Sequence, residues 1–312
     1  MRILLTGATG QLGNALQSRL GGVSELVAPN HSDMDLGNLR RIASVVNDLR
    51  PNVIINAAAY TAVDDAETHV EVARAINTEA PKQLANAAAA CGAAIIHYST
   101  DYVFNGSKPT PYDENDAPQP INVYGETKLA GEAGVAGAGA PHLILRVCWL
   151  YSRIRSNFLL TMLRLGQEKE SLAVVNDQRG APSSAAAIAD ATITILRLGG
   201  ADIGGYLGRH GGTANLACRG HATWFEFAEA IFAEARAIGL PLKVRELRPV
   251  ATDEFPRLAR RPRNSCLDLR RIADLYGLHP PHWRDALQAE MAGLSSSIAQ
   301  TGALPTLSKT EQ

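Results

Sequence analysis

The sequence is poor in cysteine, lacks any long apolar run and has no excess of charge of either sign. Its four cysteines, Cys91, Cys148, Cys218 and Cys266, lie far apart. None has a CxxC partner or a histidine at zinc-finger spacing, so a disulfide framework and a structural zinc site are disfavoured and reduced, buried thiols are expected. No apolar stretch reaches the roughly 18 residues that span a bilayer. The opening MRILLTGATG runs into a glycine-rich turn without an apolar signal core or a small-residue cleavage site. Export and membrane insertion are therefore not expected, and the cytoplasm is the expected location. Lys and Arg number 30 against 31 Asp and Glu, a formal net charge of -1, so no global basic field exists to hold a nucleic acid or an acidic membrane. The carboxylates show no metal-binding spacing, and no metal is expected.

What the chain does have is an ordinary globular composition. Its 312 residues are 46% hydrophobic and 20% charged, which disfavours disorder and a coiled coil and suits one large domain or two ordinary ones. In the first half, short apolar runs at Ile3–Leu5, Glu25–Ala28, Val53–Ala58, Ala93–Tyr98 and His142–Val147 read as strands. They alternate with helical stretches at Gln11–Leu20, Leu39–Leu49, Glu71–Ala90 and Tyr124–Ala133. Such alternation predicts right-handed crossovers and an α/β fold, a doubly wound parallel sheet of Rossmann-like type, whose ligands bind past the carboxyl ends of the strands. After about residue 150 the pattern loosens. Helices are expected at Asn157–Leu165, Ser184–Leu198, Trp224–Ile238 and Trp283–Met291, with short strands at Leu172–Val175, Ala214–Ala217 and Lys243–Leu247. The division expected is a dinucleotide-binding domain over 1–150, to which part of 165–220 returns, a smaller substrate-binding domain mainly within 151–295, and a flexible tail over 296–312.

Three segments carry chemistry. Gly7, Gly10 and Gly13 fall in GATGQLG, between the first strand and the first helix, where a tight turn and free helix N–H groups receive a pyrophosphate. A structural turn is the competing reading, and the strand-to-helix context favours the cofactor. At the end of the second strand, where NAD enzymes carry an acid, the chain has Asn30, with no arginine beside it; the choice between NADH and NADPH stays open. Asp35 could accept from an adenine amino group. In Tyr124-Gly125-Glu126-Thr127-Lys128, residues four apart stand on one helical face about 6 Å apart along the axis, so phenol and ammonium address one space. A neighbouring ammonium favours the phenolate, and the pairing is expected to lower the tyrosine pKa and make it a usable acid. Upstream, Ser99 and Thr100 end a buried strand in hydroxyls, and a hydroxyl there can hold a carbonyl that Tyr124 protonates. His97, in the apolar part of that strand, reads as structural.

Glycine turn, strand-end hydroxyls and YxxxK, in that order, resemble the extended branch of the short-chain dehydrogenase/reductase superfamily. The segments GATGQLG, HYSTDYVFNG, NVYGETKLAGE, NDQRGAPS and RPRNSCLD resemble, within it, the dTDP-4-dehydrorhamnose reductase family. The resemblance implies a nicotinamide cofactor, NADPH or NADH, and a nucleotide-sugar substrate whose C4 ketone is reduced. It implies Tyr124 as general acid, Lys128 as the residue that lowers its pKa and holds the nicotinamide ribose, and Thr100 as the group that orients the ketone. Gly10, Gln11 and Leu12 would lie along the pyrophosphate, Asp35 and Leu36 near adenine, and Ala59, Tyr60, Thr61 and Tyr98 along the ribose and nicotinamide. Asp101 and Trp149 would contact the sugar. The cluster Arg257, Arg260, Arg261 and Arg263 offers forked hydrogen bonds to an anionic nucleotide, with Arg261 as the expected contact.

Two rivals stand beside this. A nucleotide-sugar dehydratase or epimerase shares the superfamily, but a dehydratase typically has a glutamate two positions after the threonine, where this chain has Tyr102. A cofactor-binding regulatory subunit shares the fold without turnover. The sequence leaves a homodimer open.

Overall fold

Alternate side chains of a strand leave on opposite faces, so an apolar run buried on both faces needs helices above and below it. In the computed structural model, which describes residues 1–21 and 25–301, the first half of the chain folds this way. Strand β1 (Arg2–Thr6) sends Ile3 and Leu5 to one face and Leu4 to the other. The strands β3 (Val53–Asn56), β4 (Ala94–Thr100) and β5 (His142–Val147) do the same with Ile55 against Ile54, Ile96 against Ile95, and Leu145 against Ile144. On the first face lie helix α1 (Gln11–Leu20) and the helix Ala185–Gly199; on the second lie α2 (Leu39–Leu49) and the helix Ala80–Cys91.

Among the described residues the sheet has six strands, all parallel. Its order is Gly212–Asn215, β5, β4, β3, β1 and then β2 (Glu25–Val27) at the far edge. The chain leaves β1 toward β2 and then crosses back to β3 on the other side, so the order reverses at β1, and that reversal opens a crevice at the strand ends. Register aligns the mouth of the crevice: Thr6 lies opposite Asn56, Asn56 opposite His97, and Thr100 opposite Val147.

A second apolar core gathers Leu159, Leu163, Phe227, Ile231, Leu287 and Met291 from the helices Phe158–Glu168, Trp224–Ala237 and Trp283–Thr301. Beside it, Ser171–Val175 pairs in parallel with Glu246–Val250, three residues later than the expected Lys243–Leu247. The last helix runs past the expected Met291, because Leu287, Met291, Leu294 and Ile298 continue one stripe into this core. The expected tail from 296 thus begins as helix as far as Thr301, and 302–312 lie outside the described residues.

The expected continuous helix Glu71–Ala90 is three pieces: Val70–Arg74, a π turn at Ala75–Glu79, and Ala80–Cys91 with Pro81 in its first turn. Proline cannot donate an interior hydrogen bond, which favours a break in the ladder just before it. Asn77, fully buried in the π turn, accepts from the Tyr60 backbone N–H at 2.8 Å and donates to the Tyr60 carbonyl at 3.0 Å. Two helices absent from the sequence reading, Ile203–His210 and Arg270–Tyr276, pack Leu207 and Tyr276 onto the sheet core.

Candidate active site

At the end of β1 the backbone of Gly7 turns with φ of +68°, a left-handed conformation that favours glycine, and a Cβ there would lie 2.6 Å from the Ala58 nitrogen. Gly13 is needed for a different contact: a Cβ on it would sit 2.0 Å from the Gly7 carbonyl oxygen, so α1 can lie against the turn only without a side chain. Gly10 stands at the N-cap of α1, and no side chain caps the helix. Its first N–H groups are therefore open to an anionic ligand.

The turn forms one end of a cavity of about 510 Å³. Of the expected cofactor residues, Gly7, Gly10, Gln11 and Leu12 line it at the turn, and Asn30, Asp35 and Leu36 line it beyond β2. Ala59, Thr61, Tyr98, Tyr124 and Lys128 line the remainder. Gly13 and Tyr60 are off the wall: the first is spent on helix packing, and the second is held through its backbone by Asn77. The lining residues the sequence reading did not assign include Met34, Ile76, Val147, Leu150, Arg155 and Ser156. Val147 ends β5 and follows from the rule that ligands sit past strand ends, whereas Arg155 is brought in from beyond the first 150 residues and had no local signal.

The helix Val123–Ala136 presents the tyrosine and lysine. Asn122 caps it by accepting from the Gly125 N–H at 2.7 Å, and its amide donates to the Arg260 carbonyl at 2.8 Å. A Cβ on Gly125 would lie 2.2 Å from the Tyr102 carbonyl oxygen, so this glycine lets the first turn press against the end of β4. Tyr124 is half-buried at the cavity wall, and Lys128 is buried with its Nζ donating to the Tyr98 carbonyl at 2.6 Å. Burial brings the Lys128 ammonium down to about 8. The expected acidification of Tyr124 is not found. Burial pushes its phenol up to about 12; a hydrogen bond with Thr100 opposes the rise, and the Asp101 carboxylate adds to it. The ammonium is committed to a carbonyl instead, and desolvation outweighs any help it gives a phenolate.

Thr100 ends β4, and its hydroxyl donates to Asp101 Oδ1 at 3.1 Å. The other oxygen of Asp101 accepts from Cys148 Sγ at 3.2 Å, and burial raises this carboxyl to about 6. Trp149, in the left-handed region at φ of +45°, stacks on Trp224 with ring centroids 3.5 Å apart and planes 5° apart. The Arg261 guanidinium grips Asp64 with two bonds of 2.7 and 2.8 Å. Thr100, Asp101, Trp149 and Arg261 lie outside the lining of the cavity that holds the glycine turn. His97 is buried against Asn56, Nδ1 to Nδ2 at 3.0 Å, and desolvation holds it well below the usual histidine range, hence neutral.

The bare glycine turn, the uncapped helix and the cavity volume fit a dinucleotide. A glycine turn, a tyrosine and a lysine four residues later, all on the wall of one cavity past the strand ends, have the arrangement of the short-chain dehydrogenase/reductase class of oxidoreductases. Known proteins narrow this. The chain belongs to the RmlD substrate binding domain family, whose profile matches residues 1–295. It is 42% identical over 305 residues to a dTDP-4-dehydrorhamnose reductase of Escherichia coli K12, covering 96% of this chain and all of that one. Two solved structures resemble it, each 36% identical and covering 94% of this chain and 99% of theirs. One is a dTDP-4-dehydrorhamnose reductase from Clostridium acetobutylicum, TM-score 0.86; the other is the enzyme from Bacillus anthracis in complex with NADP, TM-score 0.84.

Proposed function

We propose that this chain reduces the C4 ketone of dTDP-4-dehydro-L-rhamnose to dTDP-L-rhamnose at the expense of NADPH or NADH, a step toward polysaccharide synthesis. The observation that carries the reading is that one cavity holds both the glycine turn and the Tyr124–Lys128 pair. When bound, the reduced nicotinamide supplies the hydride. The chain's own part is geometry and a proton. Tyr124, protonated throughout the neutral range, gives its proton to the oxygen that becomes an alkoxide. Lys128, held by the Tyr98 carbonyl, positions the nicotinamide ribose and keeps a positive charge near that oxygen. Thr100, whose hydroxyl donates to Asp101 Oδ1 before the sugar enters, is proposed to turn that proton to the ketone oxygen and orient it. Asp101 and Trp149 are proposed to face the sugar, and Arg261, aimed by Asp64, the nucleotide diphosphate.

The second core, with its Trp149–Trp224 stack against the end of β5, is the proposed substrate-binding domain. Tyr102 supports a reductase over a dehydratase: its ring meets Tyr124 edge-on at 5.9 Å, where elimination of water would call for a carboxylate. Four unpaired thiols suit the reducing cytoplasm. Among the described residues, no helix is long and apolar enough to cross a membrane.

The purified protein, given dTDP-4-dehydro-L-rhamnose and each reduced cofactor in turn, is expected to consume the cofactor's near-ultraviolet absorbance. No loss with either rejects the proposal. In Tyr124→Phe, cofactor affinity should persist while turnover falls roughly 10²- to 10⁴-fold; unchanged turnover removes Tyr124 from its role.

A further inference from the structure

The segment 152–157 leaves the end of the short strand Leu150–Tyr151 and lies across the glycine turn from the far side of the chain. Three of its side chains hold that turn. Ser152 Oγ and Asn157 Nδ2 donate to Gln11 Oε1 at 2.9 and 3.0 Å, which fixes the Gln11 amide; among the described residues its NH₂ has no hydrogen-bond partner. Arg155 Nε donates to the Thr9 carbonyl at 2.9 Å, between Gly7 and Gly10. That bond uses one edge of the guanidinium. Among the described residues Arg155 has no carboxylate partner, it is exposed, and it lines the cavity.

Arg155 also stands at φ of +62°, a region a non-glycine residue occupies only at a cost in strain. Packing does not repay that cost, because the side chain is not buried. Its neighbour Arg153, by contrast, is paired with the buried Glu290 at 3.0 Å. An unpaired guanidinium held over an uncapped helix N-terminus is suited to anionic phosphate oxygens.

We propose that Arg155 is a cofactor-binding residue, closing the diphosphate cradle of the glycine turn from the side opposite α1. The inference rests on the reading that a nicotinamide dinucleotide occupies this cavity. It names the diphosphate rather than a 2′-phosphate because Arg155 is anchored inside the turn, at Thr9, and not to the Asn30–His31 segment where an adenosine ribose would lie. The contact therefore serves NADH and NADPH alike.

The test is calorimetric titration of NADH and of NADPH into the wild-type protein, Arg155→Gly and Arg155→Gln. Glycine relieves the backbone strain and glutamine keeps a side chain without the charge, so the pair separates loop conformation from charge. Both variants are expected to bind both cofactors about tenfold more weakly, the size of one lost charge-assisted hydrogen bond, with the glycine variant melting no lower than wild type. Unchanged affinity, or a loss confined to the glycine variant, overturns the assignment. A loss confined to NADPH moves the contact to the 2′-phosphate and overturns it too. Wild-type protein that binds neither dinucleotide would instead remove the reading beneath it.

Discussion

Burial acts on Tyr124 and Lys128 in opposite senses, since taking either out of water disfavours its charged form. The phenol, held up at about 12, keeps its proton at neutral pH, and the ammonium, brought down to about 8, keeps most of its charge. Lysine in the unfolded chain titrates near about 10.4. Between the two values the folded protein binds fewer protons than the unfolded one, so the stability penalty of burying this cation is relieved as pH rises through that window. Function runs the other way. Cofactor affinity is expected to weaken as pH climbs through about 8, measured by titrating NADH at a series of pH values, and the step should be absent in Lys128→Met. A step that survives in that variant belongs to another group. Helical spacing was enough to pair these residues in the sequence. The sign of the tyrosine shift was not legible, because it depends on how completely the neighbouring elements exclude water.

The helix that carries the pair buries Val135 against the sheet and is fastened there by an ion pair as well. Glu132 and Arg146 of β5 meet through two bonds of 2.9 and 2.7 Å, both nearly excluded from solvent, and the guanidinium also lies over the Phe104 ring at 5.1 Å. Breaking such a pair strands a buried charge. Glu132→Ala is expected to lower unfolding stability by about 3–5 kcal/mol in urea titrations, while Glu132→Gln, which retains an acceptor, should lose less. A loss within error for the alanine variant would show that water reaches Arg146. The π turn at Ala75–Glu79 is the other element-level departure. Composition over Glu71–Ala90 reads as one helix, and Pro81 marks where it breaks, but the use of that break, turning Asn77 onto the Tyr60 backbone, depends on a loop 17 residues upstream.

At the scale of the whole molecule, Trp149, just past the end of β5, stacks on Trp224 at the edge of the second core, and Gly180 makes that contact possible. A Cβ on Gly180 would stand 2.4 Å from Trp149 Cε2. Gly180→Ala is therefore expected to displace Trp149 and raise the KM for the sugar nucleotide by up to about tenfold, the size of one aromatic contact, with cofactor affinity unchanged. Equal losses for both ligands would place Trp149 outside the substrate site. The sequence by itself determined the doubly wound sheet, the glycine turn and the spacing of Tyr124 and Lys128, because period, strand-end chemistry and helical offset are local and survive in one dimension. The tertiary structure alone decided the rest. Gly13 and Tyr60 left the cavity wall, Arg155 reached it from 146 residues beyond Thr9, and the last helix outran its expected end. Each outcome follows from desolvation and close packing between segments distant in the chain, and those are properties of the folded interior rather than of any stretch of residues.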